Sequence, residues 1–389
     1  MRKTSTSLAW KGLATLAAAS GFFIMSTLQS PAKPPSHQTR YFVYLGTYGK
    51  GVYGFRFDAG TGAMEPLGVV GEVVNPSFLA TDRDFRYLYA VSELEGKVNG
   101  AVASFSIDRK TGKLDAINSE GSGGEAPCHL SVDQTSKTVV VANYGTGAVS
   151  AYPVGQDGRL GAISALMTAE GSGPNKERQE GPHAHAAVIA AGNERVYVPD
   201  LGLDRIRIYR LDPAHGKLVP NDPPFVKGPP GLGPRHIVFD SKAKFAYVLN
   251  ELKPVVEVYA VDPANGNLTL VQSVATLPAG SDKENTGAEI RLHPNGRFLY
   301  TSNRGYDNIQ VFAVDSAKGT LQEVESVPAG GPQPRGFDLD PTGQYLFAGS
   351  QKSGKLVVFK VDEKTGKLTQ TGKEYEVPSP VDVLFVPAA

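Results

Sequence analysis

Seven times along the chain, an alternating apolar strand runs into a Gly-containing turn and is followed by a single apolar residue. The phrases are YGFRFDAGTGAM, SFSIDRKTGKL, AYPVGQDGRL, IYRLDPAHGKL, VYAVDPANGNL, VFAVDSAKGTL and VFKVDEKTGKL. Their closing residues, Met64, Leu114, Leu160, Leu218, Leu268, Leu321 and Leu368, lie 50, 46, 58, 50, 53 and 47 residues apart. Within each unit the alternation has the period of a strand, as in SFLATD, YLYAVS, AVASFSID and KLDAINS, and no segment carries the period of a helix. Solenoids of this repeat length use helices, whereas a unit of four short strands is a propeller blade. The expectation is an all-β, seven-bladed propeller spanning residues 39–389.

The ends of the repeat array predict how the ring closes. The first unit begins at YFVYLGTY with no counterpart of SFLATD, while the C-terminus carries a spare strand, VDVLFVPA. That strand fits the vacant inner position of the first blade, which would remove two exposed sheet edges.

In an up-and-down blade, the innermost strand begins on the face where the second strand ends. Inner-strand starts supply His129, His185, Arg235, His236, Glu289 and Arg335; second-strand ends supply Glu93, Asn143, Asp200, Glu251, Arg304 and Gln351. These residues are expected to converge on one mouth of the central channel as a polar funnel. Three long connections, GSGPNKERQEGPH, GPPGLGPRH and GSDKENTGAE, open on the same face. Charge there is costly unless paired or used. Arg235, His185 and Glu251 therefore read as functional, with pairing of Arg304 to Glu251 or Glu289 as the structural alternative. The Asp of each repeated phrase reads as a turn former. His215 and His293 read as solvated turn residues.

Charge narrows the partners. Lys+Arg and Asp+Glu are both 39, so nothing draws the chain generally to nucleic acid or anionic membrane. The single cysteine, Cys128, excludes an internal disulfide. Residues 1–38 differ from the rest: Arg2, Lys3 and Lys11 precede the run GLATLAAASGFFIMSTL and a Pro-containing tail, the layout of an export signal and linker. A soluble, monomeric protein, periplasmic or secreted, is expected, with no membrane span in the mature chain. P-loop, dinucleotide-binding, HExxH and Cys-rich metal patterns are missing. HAH at His183 and His185 supplies two imidazoles at alternating positions; a carboxylate would have to complete a metal site, and the expectation is a site with neither metal nor cofactor.

NPSFLATD, PCHLSVD, VANYGTGAVSAY, GPHAHAA, GPRHIVF, LNEL, LHPNGRFLYTSNRG and QPRGFDLDPTGQYLFAGSQKSGKLVVF resemble the seven-bladed lactonase family. That family includes propeller-type 6-phosphogluconolactonases and fungal 3-carboxy-cis,cis-muconate lactonizing enzymes, and the likeness runs from about Tyr41 to Val386. Carried over motif by motif, it implies a catalytic set of His185 from GPHAH, Arg235 from GPRH, Glu251 from NEL and Arg304 from SNRG. His183, Asn143, Arg335, His129 and Glu289 would then orient substrate. The implied activity is hydrolysis of a sugar lactone bearing carboxylate or phosphate, with His185 and Glu251 as base and acid. Cyclisation by the same charges, as in the lactonizing enzymes, is the alternative chemistry, and an exported propeller that binds a ligand or protein without turnover is the alternative class.

Overall fold

The computed structural model describes Met1 and residues 39–96, 100–278, 280–281 and 283–389. The expected export segment, residues 2–38, lies outside them. Among the described residues there are seven four-stranded antiparallel sheets, numbered here as blades 1 to 7 in chain order. The inner strand of blade 1 is Pro380–Pro387, which pairs with Arg40–Thr47. The ring is thus closed by the chain's last strand, as the repeat array predicted. The one described helical element is a single 3-10 turn, Leu201–Leu203.

The repeated turn phrases explain how the blades hold together. Asp58, Asp108, Asp212, Asp262 and Asp362 accept hydrogen bonds from turn N–H groups two and three residues on, or two on alone, which organises each turn. The glycine that follows is then gripped by the preceding blade. Tyr44 donates to Gly112 O (3.0 Å), Tyr89 to Gly158 O (3.2 Å), Tyr197 to Gly266 O (2.8 Å) and Tyr300 to Gly366 O (2.9 Å). Each such buried bond contributes on the order of 1 kcal/mol, while the apolar faces between blades supply the bulk of the core. Where blade 7 meets blade 1, for example, Phe57, Phe347 and Phe385 pack edge to face.

His293 departs from its sequence reading. It is buried, donating from Nε2 to Gly343 O (2.9 Å) and accepting from Asn295 N at Nδ1 (3.1 Å). It occupies the turn position held by Asp133, Asp240 and Asp340 in other blades, which likewise accept turn N–H groups. Its Nδ1 accepts in place of their carboxylate. His215 is exposed, as expected.

One irregularity aims the inner strands. In blades 1, 3, 5, 6 and 7 the register slips by one residue near the strand entrance, with Val381, Cys128, Arg235 and Arg335 the extra residues in blades 1, 3, 5 and 7. A bulge re-aims side chains that regular alternation would send to opposite faces. Two tiers result near the channel axis: an upper one with Cys128, His185, Arg235 and Arg335, and a lower one with Phe78, His129, His236, Glu289 and Asp382.

Candidate active site

The upper tier borders a cavity of about 260 Å³ lined by Tyr48, Glu93, Glu95, Cys128, Tyr144, Arg178, His185, Glu251, Thr286, Arg304 and Arg335. Glu251 stands at its centre of charge. The backbone fixes it first: Glu251 N donates to Gly233 O (2.7 Å), and Gly287 N donates to Glu251 O (3.0 Å). Both glycines are required. Gly233 has φ +64°, a left-handed conformation, and a Cβ on Gly287 would lie 2.3 Å from Asn250 O.

Three guanidinium groups then converge on this one carboxylate. Arg178 Nη2 donates to Oε1 (2.6 Å), while Arg235 Nε donates to Oε2 (3.0 Å) and Arg304 Nη2 lies 3.0 Å from Oε2. Arg235 also donates to Ala288 O, and Arg304 to Gly287 O (3.1 Å). Burial pushes the Glu251 carboxyl up, but Arg304, Arg235 and Arg178 outweigh it and hold the group well below the usual carboxylate range. Crowding acts on the cations as well: burial, then Arg335 and Arg304, bring Arg235 down to about 10.

His185 Nε2 is 3.6 Å from Glu251 Oε2, and its Nδ1 is 3.7 Å from Cys128 Sγ. Burial first, and Arg235 next, depress its pKa well below the ordinary histidine value, so the ring is neutral at neutral pH. Burial raises the Cys128 thiol, which therefore stays protonated. Across the cavity, Tyr48 donates to Glu93 Oε1 (2.8 Å), Ser77 donates to Glu93 Oε2, and Arg335 lies over the Tyr48 ring, 5.3 Å from its centroid.

The sequence-derived candidates divide by depth. His185, Glu251, Arg304 and Arg335 line the cavity, and the buried Arg235 touches it through Glu251. Pairing of Arg304 with Glu251, raised as a structural alternative, is present. Asn143 is fully buried and donates to Ser122 O and Ala148 O (3.2 Å each), so its side chain is spent on its own blade. His129 and Glu289 sit in the lower tier. His183 stacks on Tyr144 at 4.6 Å between centroids, with Nδ1 against Tyr144 O and Nε2 against Glu180. It buttresses the wall. Its imidazole and that of His185 are engaged separately, and among the described residues no group of three or more His, Cys, Asp or Glu is arranged to hold a metal ion.

Sequence reading missed Arg178, Tyr48 and Tyr144. All three come from connections: Arg178 from the long segment before blade 4, whose Gln179 is fully buried and donates to Leu201 O (2.8 Å). The length and polarity of that segment were the available signal.

The profile described as "Lactonase, 7-bladed beta-propeller" matches residues 42–385. The chain belongs to that family. Among lactonase-family relatives, a 6-phosphogluconolactonase of Bacillus subtilis is 36% identical over 352 residues, covering 90% of this chain and 99% of the relative. One of Formosa agariphila, with the same name, is 34% identical over 334 residues, 85% of this chain and 93% of its own. Among solved structures, the Pseudomonas aeruginosa periplasmic gluconolactonase superposes with a TM-score of 0.85 at 33% identity, covering 90% of this chain and all of that one.

Proposed function

We propose that the chain is a lactone hydrolase of 6-phosphogluconolactonase type that acts at the mouth of its channel. The observation that carries this is a neutral imidazole, His185, beside a carboxylate already saturated by three arginines. Because Glu251 is held ionised and fully engaged, it serves as the anchor that sets the guanidinium groups in place, and His185 is left as the base. Water attacks the lactone carbonyl carbon while His185 takes its proton, and the oxyanion forms against Arg235 and Arg304. The intermediate collapses with cleavage of the ring C–O bond, and the imidazolium returns its proton to the departing ring oxygen. The new carboxylic acid then ionises, releasing one proton to solvent. Arg178, Arg235, Arg304 and Arg335 outnumber Glu93, Glu95 and Glu251 at the mouth by one, which also favours a substrate or product that is itself anionic.

The P. aeruginosa relative is described as periplasmic. Together with the apolar run after Arg2 and Lys3, this supports an exported protein. Cell fractionation tests the placement; recovery of an intact N-terminus in the cytosol would overturn it.

Proton release in a pH-stat, with glucono-δ-lactone and 6-phosphogluconolactone as substrates and with or without chelator, tests the activity. Acid release that His185→Asn abolishes is expected. Equal rates for the two proteins, or silence with every lactone, would overturn the reading, and silence would favour a binding propeller.

A further inference from the structure

Arg235 has a second neighbour, which belongs to the lower tier. Its Nη1 lies 3.2 Å from His236 Nε2 and 3.4 Å from His236 Nδ1. A nitrogen in the plane of the imidazole cannot approach both ring nitrogens so evenly without colliding with the carbon between them. The guanidinium nitrogen therefore rests over the ring face, the position in which arginine stacks on aromatic groups.

The ring beneath it is locked from the side. Glu289 Oε1 receives Arg291 Nη1 (2.6 Å) and Ile290 N (2.9 Å), and lies 3.0 Å from His236 Nδ1. An oxygen that accepts from an arginine and an amide is an acceptor toward the imidazole too, so Nδ1 carries the hydrogen. The remaining edges are packed by rings: Phe78 at 6.0 Å, His129 at 5.5 Å and His185 at 5.3 Å between centroids, all nearly perpendicular. His236 thus meets Arg235 with its face, and the His185 ring stands steeply inclined to it.

We propose that His236 is a positioning residue for Arg235: a neutral imidazole, fixed by Glu289 as the Nδ1–H tautomer, whose face is the seat on which the guanidinium is aimed at Glu251 and the cavity. A charged ring in this place would set an imidazolium against Arg235, with Arg291 and Arg335 also near; Glu289 opposes it directly, while Glu251 is spent on Arg235 and Asp338 on Arg291. Burial and Arg235 both depress its pKa, in keeping with the neutral form. The role rests on the mouth being the catalytic site; the tautomer does not.

Two measurements test it. In the full-length protein labelled with 15N-histidine, one of the seven imidazoles, identified by its loss in His236→Phe, is expected to show a protonated Nδ1 and a bare Nε2 throughout about pH 6 to 8. An Nε2–H tautomer, or titration within that range, would overturn the proposal without reference to activity. In lactone hydrolysis, His236→Ala is expected to lower kcat roughly tenfold or more with KM changed less than about threefold. His236→Phe, which restores a ring face, should recover most of that loss. If the Phe variant is as slow as Arg235→Ala, or the Ala variant is as fast as the unaltered protein while Arg235→Ala is slow, the seat has no positioning role. If Arg235→Ala itself turns over normally, the mouth reading fails instead.

Discussion

The two tiers of the channel are built by neighbouring residues of the same strands, yet they solve opposite problems. At the mouth, cations outnumber carboxylates: Arg178, Arg235 and Arg304 crowd onto Glu251 beside an open cavity that Arg335, Glu93 and Glu95 also border. In the lower tier, aromatic faces close the floor. His129 stacks on Phe78 at 4.1 Å, and burial lowers its pKa to about 3. Asp382 is pushed up to about 8 by burial, so it too is largely neutral at pH 7. Excess charge is kept where a ligand can answer it; at the floor His129 and Asp382 are held neutral, and Glu289 is answered by Arg291.

Removing residues from Val381 onward takes Asp382 from the lower tier and leaves Arg40–Thr47 an unpaired edge. Loss of cooperative thermal unfolding is expected, and a truncated protein that melts like the full-length one would show that the tiers do not depend on closure.

Next in size is the upper tier alone. Arg235→Ala should lower turnover by roughly two to three decades, as expected for loss of one oxyanion donor, without changing the circular dichroism spectrum. Arg235→Lys should restore only part, because a point charge cannot replace two directed donors.

The lower tier should reveal itself in acid. A histidine held neutral in the fold binds its proton only on unfolding, so its contribution is present above the unfolded value and shrinks as pH falls below it. With an unfolded pKa near 6.5, His129 should cost about 2 kcal/mol at pH 5 relative to pH 8. Denaturant titrations of His129→Phe should show a shallower acid slope than the parent; an identical slope would remove His129 from the account. Asp382 has the opposite sign. Its raised pKa gives stability below the unfolded carboxylate value that is lost as pH rises toward about 8, so Asp382→Asn should stabilise at pH 7.5 and progressively less as pH falls toward the unfolded value. Its Oδ2 accepts from Leu79 N (2.8 Å), which an amide oxygen reproduces. The smallest effect is expected at Arg210, exposed on the third strand of blade 4, Arg205–Asp212, where alanine should leave turnover within about twofold.

Blade count and closure were legible because the turn phrase repeats and because one inner strand is missing at the start. The meeting of Arg235 with Glu251 followed from strand direction alone. Depth did not. A one-residue bulge changes which tier a side chain joins, and nothing in PCHLSVD, GPRHIVF or TGAEIRL marks the slip, so His129, His236 and Glu289 were placed one level too high. Arg178 was missed for a different reason: it comes from an aperiodic loop, and a repeat predicts only what repeats. His293 was misread although the repeat itself held the clue, since LHPNGRF aligns with LDPTGQY and puts histidine at a buried aspartate's position.

The pairing of Pro380–Pro387 with Arg40–Thr47 also sets an order of events. During synthesis, blade 1 waits for a strand made some three hundred residues later, so the ring stays open until the last segment emerges. One wall of the mouth spans that seam: Tyr48 from blade 1 meets Arg335 from blade 7. The nascent chain therefore carries the residues of a lactonase-family mouth before the ring that holds them is closed.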